Sequence, residues 1–406
     1  MEKRKRSVLC VLNFAMAALM VLLCASLAWA GPRERTLHTF AGGSNGAVPY
    51  GTMIFDSTGS LYGLAGGFNS VGAVFKLTPS GTGSWTESVI YSFLNSSDAP
   101  GLNFVFDLSG NIYGTMPSSG TCGAVYQLVP SSAGIWTQNI LFSFTDGATQ
   151  GCDPQSIIFD PATGNLYGIA VQGGANNVGT IFELTPMLGG GWSFDVIHTF
   201  GFGTDGTYPA AAPTLDSSGN LYGTTYNGGS YGDGTVYRLT NGAEGWSESV
   251  LYNFTGGGNG FASSAGVVFD REGNLYGTTD DPGGGDDVGN VYKLTPTKGD
   301  WVIHVIHTFT GGPDGGNPAP FNLAIDGAGN LYGTTELGGL YNYGVAYELS
   351  PSTGGKWKET VLHSFTDGID GANPDCGFVF DSAGNLYGST NNGGADGYGV
   401  VFEVKP

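Results

Sequence analysis

Five histidines, and the three cysteines that follow residue 30, are the side chains best able to do acid–base, metal or redox chemistry in this chain. Four histidines share one place: His38, His198, His307 and His363 each stand two residues before a Phe that ends a short apolar string. Tyr91, Phe142 and Tyr252 hold that place in other copies. Interchange of His with Tyr and Phe is what a partly buried flat ring requires. These histidines therefore read as packing groups, not as ligands or proton carriers. His304 lies outside the register and stands alone. The sequence holds no His/Cys ligand spacing, no Gly-x-Ser-x-Gly elbow and no phosphate-cradling loop between a strand and a helix. No catalytic residue is assigned, and a non-enzymatic role is the expectation.

The variable loops offer different chemistry. They carry Phe68, Tyr226, Tyr231, Tyr341, Tyr343 and Tyr398, with acids such as Asp146, Asp205, Asp314 and Asp370. Rings beside Asp and Asn can stack on and hydrogen-bond to sugars, so the expected partner is an extracellular ligand, a glycan or a protein. The bland alternative is that the rings cover neighbouring loops. An enzyme acting on a polysaccharide or lactone is the alternative function. It would need non-repeat acids at a central channel mouth, with Asp153, Asp375 and Asn317 as candidates. Asp280, Asp281, Asp286 and Asp287 share one Gly-rich loop, where calcium could be gathered, although such loops are more often simply solvated. No other cofactor is expected. Cys122 and Cys152 fall on one face of adjacent repeats, so a bridge between them is the pairing considered. A Cα separation above about 7 Å excludes it. Cys376, elsewhere in the array, is expected to stay free.

The elements that must position these groups repeat. Leu-Tyr-Gly or a close variant occurs seven times, with tyrosines at 62, 113, 167, 222, 276, 332 and 387. A period near 54 residues with strand-like content marks a propeller or similar array. Each unit holds four strings: an apolar run ending in Asp, the Leu-Tyr-Gly string, a Val-Phe-Lys-Leu-Thr-Pro string, and one running from Trp to Phe. All are short, rich in β-branched and aromatic residues, and bounded by Gly, Pro, Asn and Asp. Between the first two strings stands Asp-x-x-Gly-Asn, as at Asp216–Asn220. This reads as a hairpin turn, because the carboxylate accepts nearby backbone N–H groups and Gly supplies a left-handed residue.

The ends decide the architecture. The Trp-to-Phe string is complete six times, from Trp85 to Trp357, and a copy without its Trp opens the chain at Thr36–Phe40. The last unit stops at its third string, Val400–Val404. A ring needs this arrangement, since the first strand can complete the last sheet and leave no open edge. The expected fold is all-β: a seven-bladed β-propeller of four-stranded blades, closed by the N-terminal strand.

The run Leu-Tyr-Gly-Thr-Thr, Gly-Gly, Gly-Thr-Val-Tyr-x-Leu-Thr from Leu221 to Thr240 resembles the GloVer tandem repeat of exported bacterial proteins. It is similar, more distantly, to NHL-type propeller repeats. The resemblance spans residues 31–406 and implies an extracytoplasmic, propeller-like repeat protein, commonly with a variable C-terminal anchor. This chain instead ends on a strand. The resemblance brings no catalytic residues.

Residues 1–30 combine a basic start, an apolar run and Ala28-Trp29-Ala30. They read as a signal peptide, with residues 31–406 as the propeller domain. Membrane attachment is expected only if the signal stays uncleaved. The leader carries four of the 14 Lys and Arg and one of the 34 Asp and Glu, leaving 10 against 33. So acidic a surface repels phosphate backbones, so nucleic acid is not an expected partner, and self-repulsion favours a monomer.

Overall fold

The computed structural model describes residues 34–406, apart from 44–45, 67–71, 82, 96–97, 202, 257, 259, 262–264 and 281–287. The leader, Phe68, Asp281, Asp286 and Asp287 therefore lie outside the described residues.

Seven antiparallel sheets form a closed ring. Strands are lettered A to D outward within each blade. In blade 1 they are Ala47–Phe55, Leu61–Gly66, Ala73–Pro79 and Trp85–Ser92. The Asp-ended run gives strand A, Leu-Tyr-Gly strand B, the Pro-ended string strand C and the Trp-to-Phe string strand D. Strand A is broken in blades 4 and 6, where it runs as Gly206–Pro209 with Thr214–Leu215, and as Gly316–Pro318 with Ala324–Ile325. One short helix, Gly147–Gln150, lies between blades 2 and 3 and is N-capped by Asp146.

Glu34–Thr39 is strand D of blade 7. It pairs antiparallel with Val400–Val404, from Glu34 opposite Val404 to Thr39 opposite Val400. Arg35 adds an ion pair to Glu403 at 2.7 Å. The first and last described strands thus meet in one sheet.

Each repeat element has a local cause. The Gly of Leu-Tyr-Gly lies beneath a ring from strand C: a Cβ on Gly223 would sit 2.3 Å from the Tyr237 hydroxyl, and one on Gly168 2.3 Å from Phe182. The Tyr reaches back to the turn. In blade 2, Asp107 Oδ1 accepts the Ser109 and Asn111 N–H groups, while Oδ2 accepts Asn111 Nδ2 and the Tyr113 hydroxyl. The same set recurs around Asp216, Asp270, Asp326 and Asp381. Blade 1 departs: Lys76 and Thr58 bind Asp56 instead. Burial alone would raise the carboxyls of Asp216, Asp270, Asp326 and Asp381. The hydrogen bonds they accept outweigh it and hold them below the usual carboxylate range.

Blades join through a repeated seam. The Phe ending strand D packs edge-on against the strand C ring of the next blade, with centroids 5.0–5.4 Å apart at all seven junctions. Its N–H donates to the carbonyl of the Gly opening strand C of its own blade, at 2.9–3.1 Å. That Gly also faces the next blade: a Cβ on Gly123 would stand 2.3 Å from Pro154, and one on Gly179 2.4 Å from Pro209. The residue before the Pro takes a positive φ at five of these seams, from 51° at Val48 and Asn373 to 63° at Asp153. There its N–H donates to the loop of the preceding blade, as from Asp153 to the Cys122 carbonyl at 3.0 Å. A disulfide joins Cys122 to Cys152 at this same seam, with Cα atoms 4.4 Å apart. Among the described residues Cys376 is free and buried, and burial pushes its thiol up to about 12.

Four outcomes are expected. Asp326→Ala should cost about 1–3 kcal/mol in urea unfolding, because its charge-assisted bonds vanish and the Tyr332 hydroxyl and Asn330 amide lose their acceptor. The Asp216, Asp270, Asp326 and Asp381 carboxyls have depressed folded pKa values, so their stabilisation is full above the unfolded carboxylate pKa and is lost as pH falls through the folded one. The wild-type urea midpoint should therefore drop below about pH 4, and Asp326→Ala should flatten that drop. Cys152→Ser opens a 30-residue loop and should cost about 2–4 kcal/mol in the same assay. Deleting residues 31–40 exposes the buried Val401, Phe402 and Val404 edge of blade 7. Loss of the cooperative transition, with association in sedimentation, is the expected result.

Candidate functional site

The four-strand plan puts the loops joining B to C, and D to the next A, on one face of the ring. The A–B and C–D turns lie on the other. Between the faces, the inner strands surround a cavity of about 400 Å³. Thr52, Asn103, Ser156, Thr214 and Asn322 are its polar lining residues, among Ile54, Leu102, Phe321 and Phe378. No carboxylate lines it among the described residues. Much of this polarity is spent between blades: Asn103 exchanges two hydrogen bonds with the Ile157 backbone, and Thr214 donates to the Val267 carbonyl.

The B–C face is not sevenfold. Immediately after Leu-Tyr-Gly-x-x, blades 1–3 carry Gly66, Pro117 and Val171, whereas blades 4–7 carry Tyr226, Asp280, Glu336 and Asn391. The fold accepts Gly, Pro or Val at this position, so it does not itself demand the polar or aromatic groups of blades 4–7.

These groups converge over blades 5–7. Asn317 Nδ2 donates to Glu336 Oε2 at 3.1 Å, and Asn373 Nδ2 to the Glu336 carbonyl at 3.0 Å. Asn391 Nδ2 donates to Asp375 Oδ2 at 3.2 Å, and Asn392 Nδ2 to Asn373 Oδ1 at 3.3 Å. Asp375 Oδ1 and Asn391 Oδ1 are buried acceptors without a hydrogen-bond partner. Burial, then the charges of Asp375 and Asp280, push the Glu336 carboxyl up to about 7, against a lowering bond from Asn317. Burial likewise raises Asp375. On the rim, the Tyr343 carbonyl accepts the Asn373 N–H at 2.9 Å, and Tyr341 is 56% exposed.

The structure thus joins Asn317 and Asp375 through Glu336, a residue that the sequence reading did not single out. Asp153 lies apart on blade 3, its Oδ1 bound by Gln155 at 2.6 Å. The Tyr343 backbone borders the cluster, and Tyr341 is exposed in the same loop. Tyr226 and Tyr231 are exposed on blade 4, where the register sets Tyr208 opposite Tyr226. Tyr398 is half-buried against the core around Phe40, as a loop-covering ring would be. Of the loop acids, Asp146 caps the short helix and Asp314 and Asp370 bind their own loops. Asp280 lies near Glu336.

The opposite face holds a cleft of about 1270 Å³ between blades 5 and 6. Arg271, Lys293, His304 and Lys356 line it with Asp270, Glu272 and Trp357. His304, alone in the sequence, thus gains company from cations. The cleft's acids are largely turn residues, and Lys293 pairs with Asp270 at 4.0 Å.

No curated protein matches the sequence. A solved structure from Lactobacillus plantarum is similar at 15% identity and TM-score 0.52, over 85% of this chain and 88% of that one. A candidate 6-phosphogluconolactonase of Bacteroides uniformis is similar at 13% identity and TM-score 0.51, over 76% and 83%. A gluconolactonase of Xanthomonas campestris aligns at 13% identity and TM-score 0.42, over 92% and 89%. Likeness at this identity concerns the fold alone. The Gloeobacter/Verrucomicrobia repeat family matches residues 100–319 and 289–406, together more than half of the chain, and the chain belongs to that family.

Proposed function

We propose that this protein is an exported, non-catalytic ring that binds a polyhydroxylated ligand, a glycan, on its B–C face over blades 5–7. The observation that carries the reading is the meeting of Glu336, Asp375, Asn373 and Asn391 next to the loop of the exposed Tyr341, with Glu336 and Asn391 at the place where blades 1–3 hold Gly, Pro and Val. Sugar hydroxyls need acceptors and amides at fixed spacing, and the apolar face of a sugar needs a flat ring. Asp375 Oδ1 and Asn391 Oδ1 are acceptors still to be satisfied. The acidic surface favours a neutral or cationic glycan over an anionic one. Export rests on the basic and apolar leader, and it places the ring where such polymers are met.

One observation favours an enzymatic second reading, hydrolysis of a lactone or polysaccharide. A carboxyl near pH 7, as at Glu336, is matched to proton transfer. The two readings part on turnover.

The ring expressed from Gly31 should retain a defined subset of glycans on an array. Tyr341→Ala should weaken the best binder roughly 3- to 10-fold by calorimetry, the range expected for one lost stacking contact. Asn391→Ala should act in the same direction. An array without binders, or unchanged affinity in both variants, would remove the proposal. Turnover of a bound sugar or lactone that Glu336→Gln abolishes would replace it with the enzymatic reading.

A further inference from the structure

The outer seams of the ring carry a second pattern. His198 stands two residues before the Phe that ends strand D of blade 3. Asp205 stands five residues after that Phe, in the loop leading to blade 4. Glu248 stands two residues after the Trp near the start of strand D of blade 4. The seam gathers these distant positions: one ligand-type atom from each lies within 4.8 Å of the other two. Asp205 is fixed from behind, because its Oδ2 accepts the Gly201 N–H and its Oδ1 the Gly206 N–H, each at 2.7 Å. Oδ1 stands 3.6 Å from His198 Nε2, beyond hydrogen-bond length. His198 Nε2 and Glu248 Oε1 are buried without a hydrogen-bond partner. Leaving two such atoms unsatisfied costs free energy unless something fills the gap between them.

The positions recur. Between blades 5 and 6, His307 Nε2 stands 3.8 Å from Asp314, and His307 Nε2 and Glu359 Oε1 are again buried without a hydrogen-bond partner. Between blades 6 and 7 the gap is closed, with His363 Nε2 at 2.9 Å from Asp370 Oδ2. Where His is absent its partner changes too. The Tyr91 hydroxyl donates to Gln138 at 3.0 Å, and Phe142 stacks on Phe194 at 3.8 Å. Packing at this place is thus served by two phenyl rings. An imidazole facing two carboxylates supplies more than packing.

We propose that the seam between blades 3 and 4 is a transition-metal site, with His198, Asp205 and Glu248 as its protein ligands and Zn²⁺ as the ion. Zinc bonds to imidazole nitrogen and carboxylate oxygen at about 2.0–2.2 Å, and small side-chain adjustments bring atoms this close onto one centre. Three protein ligands leave a fourth position for water. The imidazole selects against calcium, which prefers an all-oxygen shell. The bound ion ties the outer strand of blade 3 to that of blade 4.

The test is calorimetric titration of the EDTA-treated ring, expressed from Gly31, with ZnCl₂. The double variant His198→Phe, Glu248→Phe copies the Phe142–Phe194 seam and should keep the fold, which thermal circular dichroism checks. The wild type is expected to take up zinc, to resist displacement by excess CaCl₂, and to hold one more zinc per chain than the double variant. His198→Ala should weaken that site at least tenfold, and it stands in should the double variant fail to fold. No zinc uptake by the wild type, displacement by calcium, or unchanged zinc binding in a folded variant overturns the proposal.

Discussion

The ring rests on the meeting of one phenyl ring, one glycine carbonyl and the aromatic ring of the next blade. The Phe ending each outer strand ties its own sheet through its N–H and the neighbouring sheet through its edge. Neither contact is strong alone, since a hydrogen bond nets about 1 kcal/mol and an edge-to-face pair about as much. Their force lies in sevenfold repetition on a closed path: no junction can slip without straining the other six. This is also why the glycine is required. It takes positive φ, presents its carbonyl to the Phe and, at six of the seven junctions, leaves room for the proline of the following blade, which no side chain would permit.

Closure puts the same demand on the first strand. Phe40 belongs to the N-terminal segment, yet it is fully buried and packs on Phe75 of blade 1 as its counterparts do elsewhere. The junction between blades 7 and 1 is therefore chemically like the rest. A ring closed in this way has no exposed sheet edge at its join, and that lets a chain with few staples remain one cooperative body.

What was legible in the sequence and what was not divide along the repeat. Leu-Tyr-Gly, Asp-x-x-Gly-Asn and the terminal Phe announce strands, turns and blade number because the fold imposes them seven times over. The single outer string at Thr36–Phe40 announced the closure. Residues that differ between blades were harder to read. Glu336 looked like one more loop acid, and only the seam geometry sets it against Asn317, Asp375 and Asn373. The histidines were legible in part. Their exchange with Tyr and Phe correctly indicated a flat-ring position. The companion that changes with them stands near the start of the next unit's outer strand, so a reading within one repeat could not show it. A signal was nonetheless present: wherever His precedes the Phe, Glu stands two residues past the next Trp or its equivalent, at Glu87, Glu248, Glu359 and Glu34.

The same reasoning gives a general way to separate scaffold from function in such a ring. A position filled identically in every blade reports a demand of the fold. A position filled by Gly, Pro and Val in three consecutive blades and by Tyr, Asp, Glu and Asn in the other four reports that the fold is indifferent there. At this place in blade 7, Asn391 is partly buried, and its Oδ1 and the Oδ1 of its partner Asp375 lack a hydrogen-bond partner, which carries a desolvation cost. A ligand on the B–C face of blades 6 and 7 would recover that cost, which is the physical basis of the binding proposal.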